Sequence, residues 1–424
     1  MSAQRIPGIS DLKPEPIDNP SPWAPLATPI FRAFWLVSIV SNLGTWIHEI
    51  GAGWLMTSLD SSPEMVSSVR VAMSLPMTVL AIPAGVLADR IDRRRLLILT
   101  QWVLLATTST LASLTFTGAI TAWMLLALTF VMGLGMVLHI LTWQSTIPEL
   151  VPRNQLSRAI SLGSISFNLA RSVGPAIGGV LIAIAGPWIA FAANAFSFGA
   201  VLFVLSRWQR ETTESSNGMT YRRSLGEGIA YVRREPVMKQ TLVRLAMFML
   251  PASALWALLP LVARERLGWD ADGFGLLVTT VGGGAVAAAW GLHRLHVRIG
   301  TDWTVAISTA VFAGGMLGIS FAVEAVGAVA SMFVMGASWM TTLTTLNSNA
   351  QATLPNQLRA RGMSCYLTVM AISMAGGSTI WGQIAGAFSV PQSQRIAAGV
   401  LVMAAIFVGV QAMQAGPRSD HEHA

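Results

Sequence analysis

The chain has 424 residues, 53% hydrophobic and 11% charged, with a mean hydropathy of +0.59 and a formal net charge of +7. A soluble domain carries roughly 25% charged residues, so this composition excludes an ordinary solvated surface. The single cysteine, Cys365, excludes an intrachain disulfide framework and a thiolate metal cluster.

Residues 1–29 contain seven prolines, from Pro7 to Pro29, and lack both an apolar core and a signal-peptide pattern. They read as a disordered tail on the side of synthesis. From Phe31 onward, apolar runs of about 20 residues recur, the length that crosses ~30 Å of hydrocarbon. They predict an all-α, polytopic membrane protein with twelve spans near 31–58, 67–88, 96–117, 121–143, 160–184, 187–206, 241–263, 272–292, 303–323, 326–347, 363–387 and 393–414.

Gaps after even-numbered spans hold seventeen Lys or Arg, whereas the odd-numbered side holds only Arg264, Arg266 and, at the start of the twelfth span, Arg395. The positive-inside rule puts both termini in the cytoplasm. The surplus charge then marks topology and contact with membrane lipid, and nucleic acid is rejected as a partner. The long interruption near 207–240 falls midway. It predicts two six-span bundles, 30–206 and 241–415, with short tails 1–29 and 416–424. Leu150-Val-Pro-Arg-Asn-Gln-Leu after the fourth span and Leu354-Pro-Asn-Gln-Leu-Arg after the tenth are a weak internal repeat, as expected of parallel halves. Within the linker, Leu225, Ile229 and Val232 share a helical face flanked by arginines. That pattern fits an amphipathic helix on the inner leaflet and equally a solvated basic linker.

The loop after the second span reads Gly85-Val-Leu-Ala-Asp89-Arg90-Ile-Asp92-Arg93-Arg94. It resembles the signature loop of the major facilitator superfamily, with Asp92 where glycine is usual. The resemblance implies two pseudo-symmetric bundles and a cytoplasmic gate latched by Asp89, with Arg90 and Arg93 as charge partners. The fifth span holds Arg171-Ser-Val-Gly174-Pro175-Ala-Ile-Gly178-Gly179, similar to the motif of the superfamily's antiporter branch. Its Gly-x-x-x-Gly face permits close helix approach, and Pro175 can kink the span. Ser41-Asn-Leu-Gly-Thr-Trp46 and Phe167-Asn-Leu-Ala-Arg171 are similar to exporters grouped with the enterobactin exporter and the transmembrane secretion effectors, over about residues 28–415. The resemblance implies efflux. One departure is that no arginine precedes Gly133-Leu-Gly135 in the fourth span, which puts a proton relay of that type in doubt.

An ionisable group at mid-bilayer costs at least ~2.5–3.5 kcal/mol on insertion scales and needs a reason. Ser38, Asn42, Thr45 and Glu49 form one polar stripe at helical spacing, which predicts a wet cavity. Glu49 is the first proton-coupling candidate, with an ion pair to Arg70 or Arg171 as its static alternative. His48 and His139 are further candidates, although His48 lies about 100° round the helix from Glu49. Arg171 is expected to pair with Asp89, Glu149 or carbonyls near the gate, and Arg244 to snorkel to the interface. In the tenth span Ser338, Thr341, Thr345 and Asn349 mirror the first stripe, and Trp46, Trp143, Trp256 and Trp339 offer stacking surfaces for cargo.

These features predict secondary active export of small amphipathic molecules by alternating access, with protons as the coupling partner. No nucleotide-binding loop, metal site or other cofactor motif occurs, and nothing in the sequence fixes the oligomeric state. An importer or facilitator of the same fold is the alternative. A membrane-embedded enzyme is the lesser one, because catalytic groups are scattered rather than clustered.

Overall fold

The computed structural model describes residues 21–208, 234–355 and 359–415; side-chain statements further exclude residues 79, 81–90, 290, 292–297, 359–361 and 415. The expected linker helix and most of both tails therefore lie outside the described residues. Ala24–Ala27, within the stretch expected to be a disordered tail, form a 3₁₀ turn with Pro25 buried.

The spans are α1 (Pro29–Leu59), α2 (Pro63–Arg90), α3 (Arg93–Phe116), α4 (Ala122–Leu150), α5 (Leu156–Ala185), α6 (Trp188–Arg207) and α7 (Pro236–Leu261). A single π turn, Val262–Arg266, follows α7. The helical run Ala271–Phe321 is broken at Gly300 (φ 74°) into two arms, α8 and α9. α10 (Ala325–Thr353), α11 (Arg359–Ala387) and α12 (Val390–Ala415) complete the chain. Eleven described segments are long and apolar enough to cross a membrane. The twelfth crossing, α2, is 28 residues, about 42 Å, and carries Glu64 and Arg70.

Local chemistry sets the helix ends. Pro29 begins α1, where its missing donor costs nothing. Asp92 caps α3 by accepting from Arg95 N at 2.9 Å, and Thr121 caps α4. Gly300 breaks the chain where φ is positive, a conformation that glycine adopts without a Cβ penalty. The polar segment expected to be a loop between the eighth and ninth spans is helical up to that residue.

Short connections make neighbouring spans antiparallel, so Pro29, Arg207, Pro236 and Ala415 share one end, here called proximal. The two halves pack by the same rule. In the first half α1 contacts α5 and α6, and in the second α7 contacts α11 and α12. Between the halves α2 packs on α11 and α5 on α8. The second span of each half thus meets the fifth of the other, the reciprocal relation of a pseudo-twofold axis.

Small residues permit these contacts. A Cβ on Gly178 would lie 3.2 Å from Ile47 Cα, and one on Gly174 only 2.8 Å from Trp46 Cβ. Across the halves, a Cβ on Gly179 would meet Gly275 Cα at 2.8 Å.

Candidate functional site

Glu49 projects from α1 towards Arg70 of α2, and the two form an ion pair in which each side chain is about one-fifth exposed (19% and 20%). The Arg70 guanidinium lies 5.7 Å from the Trp256 ring of α7, so the first half's ion pair is covered by an aromatic side chain of the second. Ile50, Gly53, Pro260 and Phe274 close the space around it, which measures about 20 Å³, room for roughly one water. In this conformation the space is a packed seam, too small for a cargo molecule.

The seam continues to the distal end. Arg264, on the π turn, donates to Thr57 Oγ1 at 2.9 Å and Ser58 Oγ at 2.6 Å, and its guanidinium lies 5.5 Å from the Trp54 ring. Trp54 stacks on Phe274 with centroids 5.9 Å apart. Where α2 meets α11, Glu64 lies against Gly386 and Ser67 against Gly382. The distal end is the closed end.

The two polar stripes do different work from one position to the next. Ser38 donates to Trp35 O at 2.7 Å, and Asn42 donates to Ser166 Oγ of α5 at 3.2 Å. Thr45 bonds back to Ser41 O at 2.9 Å. In the second half Ser338 and Thr341 bond back within α10, Asn349 donates to Thr241 Oγ1 of α7 at 2.8 Å, and Thr345 is buried with its hydroxyl unbonded among the described residues. Asn42 and Asn349 therefore tie helices within their own halves, while Thr45, Ser338 and Thr341 bond back within their own helices.

The aromatic residues also divide. Trp143 stacks on Phe34 at 5.1 Å within the first half, and Trp339 packs between Phe248 and Phe312 within the second. Trp46 approaches Phe167 of α5 at 6.2 Å. Trp256 touches Trp339 edge-on at 5.6 Å and also reaches the other half.

His48 is fully buried on the α1–α6 face, edge-on to Phe191 at 4.8 Å. Neither of its ring nitrogens has a hydrogen-bond partner among the described residues. His139 Nδ1 pairs with Gln101 Nε2 of α3 at 2.9 Å and tilts against Trp143. Neither histidine meets Glu49.

Gly85, Asp89 and Arg90 of the signature loop occupy the last turns of α2, but their side chains lie outside the described residues. The rest of the motif staples the first half together. Arg93 bonds Glu149 Oε1 at 2.6 Å and Ser145 O at 3.0 Å. Arg94 donates to Leu205 O and Ser206 O at the end of α6, where free carbonyls and the helix dipole favour a cation.

Arg171 differs from expectation. Glu149 is bonded to Arg93, and Arg171 instead points its Nη2 at Met340 Sδ of α10, 3.6 Å away across the halves. Arg244 is 3% exposed rather than snorkelling. It binds Asp302 at 2.5 Å and Gln411 Oε1 through Nε and Nη2 at 3.3 and 3.1 Å. Sequence reasoning missed this clamp, as it missed Arg264 and Met340, because each partner lies far away in the chain.

Two helical bundles in pseudo-twofold relation, closed at one end, with one ion pair and a half-buried cation at the seam between them, define a multi-pass membrane transporter of the major facilitator fold. Residues 20–423 match the transmembrane secretion effector family, and the chain belongs to it. It is similar to the staphyloferrin A transporter of Staphylococcus aureus, 26% identical over 68% of this chain and 73% of that one. It also resembles macrolide efflux protein A of Streptococcus pyogenes, 25% identical over 36% and 38% of the two chains. Among solved structures, a bacterial homologue of the lysosomal transporter Spinster, inward-facing and occupied, superposes with a TM-score of 0.74 at 12% identity, covering 92% of this chain and 97% of that one. The family and these relatives are transporters, and the protein is not an enzyme.

Proposed function

We propose that this protein exports small amphipathic molecules across the plasma membrane by alternating access, with protons moving in the opposite direction. Residues 30–206 and 241–415 are the two rocking bodies, with both termini cytoplasmic and the distal end facing outward. Cargo sits at mid-depth between the stripes of α1 and α10. Efflux is supported by the Gly174-Pro175-x-x-Gly178-Gly179 segment at the α1–α5–α8 contact and by similarity to a macrolide efflux protein.

The observation that carries the proton step is the Glu49–Arg70 pair beneath Trp256. When the bundles part distally, Trp256 withdraws and water reaches the pair. A proton taken up by Glu49 releases Arg70, and it is given up towards the cytoplasm once the distal end closes and the pair re-forms. One proton entering across ~100 mV supplies ~2.3 kcal/mol, enough to sustain roughly a fifty-fold cargo gradient.

The test separates exchange from net transport. Glu49→Gln should keep cargo counterflow in vesicles while losing net export driven by a proton gradient. Loss of both, or of neither, would sink the coupling role. Export insensitive to an uncoupler would remove proton coupling altogether.

A further inference from the structure

We infer that Arg171 is the cargo's anion site, so that the preferred substrates are organic acids with an apolar body. This inference rests on the transport reading above and names its substrate class.

Arg171 is the sixteenth of thirty residues in α5, and Met340 is the sixteenth of twenty-nine in α10. Both are helix midpoints, and the contact between them spans the two halves. This is the depth at which transporters with repeated halves hold substrate.

A guanidinium at this depth requires an anion or strong acceptors. Among the described residues Arg171 has a single polar partner, the thioether of Met340, and a thioether is a weak acceptor. The neighbouring carboxylates are taken: Glu49 by Arg70, Glu149 by Arg93 and Asp302 by Arg244. Asp89 is next to last in α2, at the proximal end. Arg171 stands fifteen residues above the proximal start of α5 at Leu156, about 22 Å along the axis, beyond a side chain's reach. The cation is thus left with spare donors at the seam between the halves.

The surroundings suit an incoming acid. Arg171 is half-buried rather than sealed. Met340 is unbranched and adaptable, and its sulphur also accepts from Thr344 at 3.5 Å, so it can turn aside without stranding a strong donor. One helical turn away on α5, Phe167 forms an aromatic pair with Trp46, a surface for an apolar body. A carboxylate displacing the sulphur exchanges a weak contact for a charge-assisted, bidentate one. Because α5 and α10 belong to opposite halves, an anion held there bears on the contact that must slide during transport.

The experiment uses everted membrane vesicles containing the full chain and a panel of aromatic carboxylates (benzoate, 1-naphthoate and indole-3-acetate), each paired with its primary amide. Uptake is read by mass spectrometry. At least one carboxylate should accumulate about tenfold or more over its amide, the scale of one charge-assisted bond. Arg171→Gln should erase that ratio, Arg171→Lys should keep part of it, and Met340→Leu should keep or raise it. Equal uptake of acids and amides, or a ratio that survives Arg171→Gln, would overturn the inference. If Arg171→Gln fails to accumulate in the membrane, the ratio in Arg171→Lys decides: an unchanged value overturns the inference. Uptake of no panel member overturns it as well. Extracellular metabolite profiles of cells with and without the wild-type chain then show separately whether the export reading stands.

Discussion

Glu49 and Arg70 neutralise one another between α1 and α2, and Trp256 of the opposite half covers the pair. The same residues seal the space beneath the closed distal end. The pair's solvent access is therefore restricted, since the space around it has room for roughly one water while the halves are closed.

Removing one partner should therefore be worse than removing both. Arg70→Met leaves a carboxylate four-fifths buried, and breaking such a pair costs up to ~3–5 kcal/mol when burial is complete; about half of that is expected here. The double variant Glu49→Gln/Arg70→Met should recover much of the loss in detergent thermal unfolding. Additive losses would argue against the pair as a unit.

His48 should be dispensable. Among the described residues both of its nitrogens are buried without hydrogen-bond partners, an arrangement that costs stability rather than supplying it. His48→Leu is expected to hold or raise the melting temperature and to leave proton-driven export intact. Loss of proton-driven export with normal folding would return His48 to the coupling path.

Arg264 is expected to latch the distal end. Arg264→Ala removes hydrogen bonds to Thr57 and Ser58, each worth roughly 0.5–1.5 kcal/mol, and should shift the population towards a distally open state by about tenfold. A cysteine placed at Val278, in a chain with Cys365→Ser, should then react faster with a membrane-impermeant maleimide added from the distal side. An unchanged rate would remove the latch.

Gly179→Val tests the seam itself. Its Cβ would meet Gly275 Cα at 2.8 Å and Ala271 O at 2.9 Å, an overpacking of ~1–3 kcal/mol felt when the distal end is closed. Distal opening should rise in the Val278 labelling assay. Gly163→Ala, whose Cβ meets nothing within 4 Å, serves as the neutral comparison.

Arg244 should matter for folding rather than transport. Arg244→Met strands the half-buried Asp302 and frees Gln411, and a loss of ~2–4 kcal/mol is expected. Asp302→Asn in the same chain should restore part of it in a thermal scan, with export per folded molecule unchanged throughout.

Twelve crossings and their arrangement as two bundles were legible in the chain. A bilayer accepts only long apolar helices whose backbone groups are satisfied internally, so crossings are written as local runs, as α4 and α12 show most plainly. The interhelical partners were not legible. Arg70 was foreseen only as one of two possible partners for Glu49. Arg171 was expected to join Asp89, Glu149 or carbonyls near the gate, but it reaches Met340, 169 positions away. Arg244 finds Asp302 across 58 positions instead of snorkelling, and His48 turns from the cavity into the α1–α6 packing. Periodicity fixes which residues share a helix face. Which neighbour that face meets depends on bundle order and on each helix's rotation, and those are set by glycine contacts such as Gly179 on Gly275 that form only once the halves have assembled.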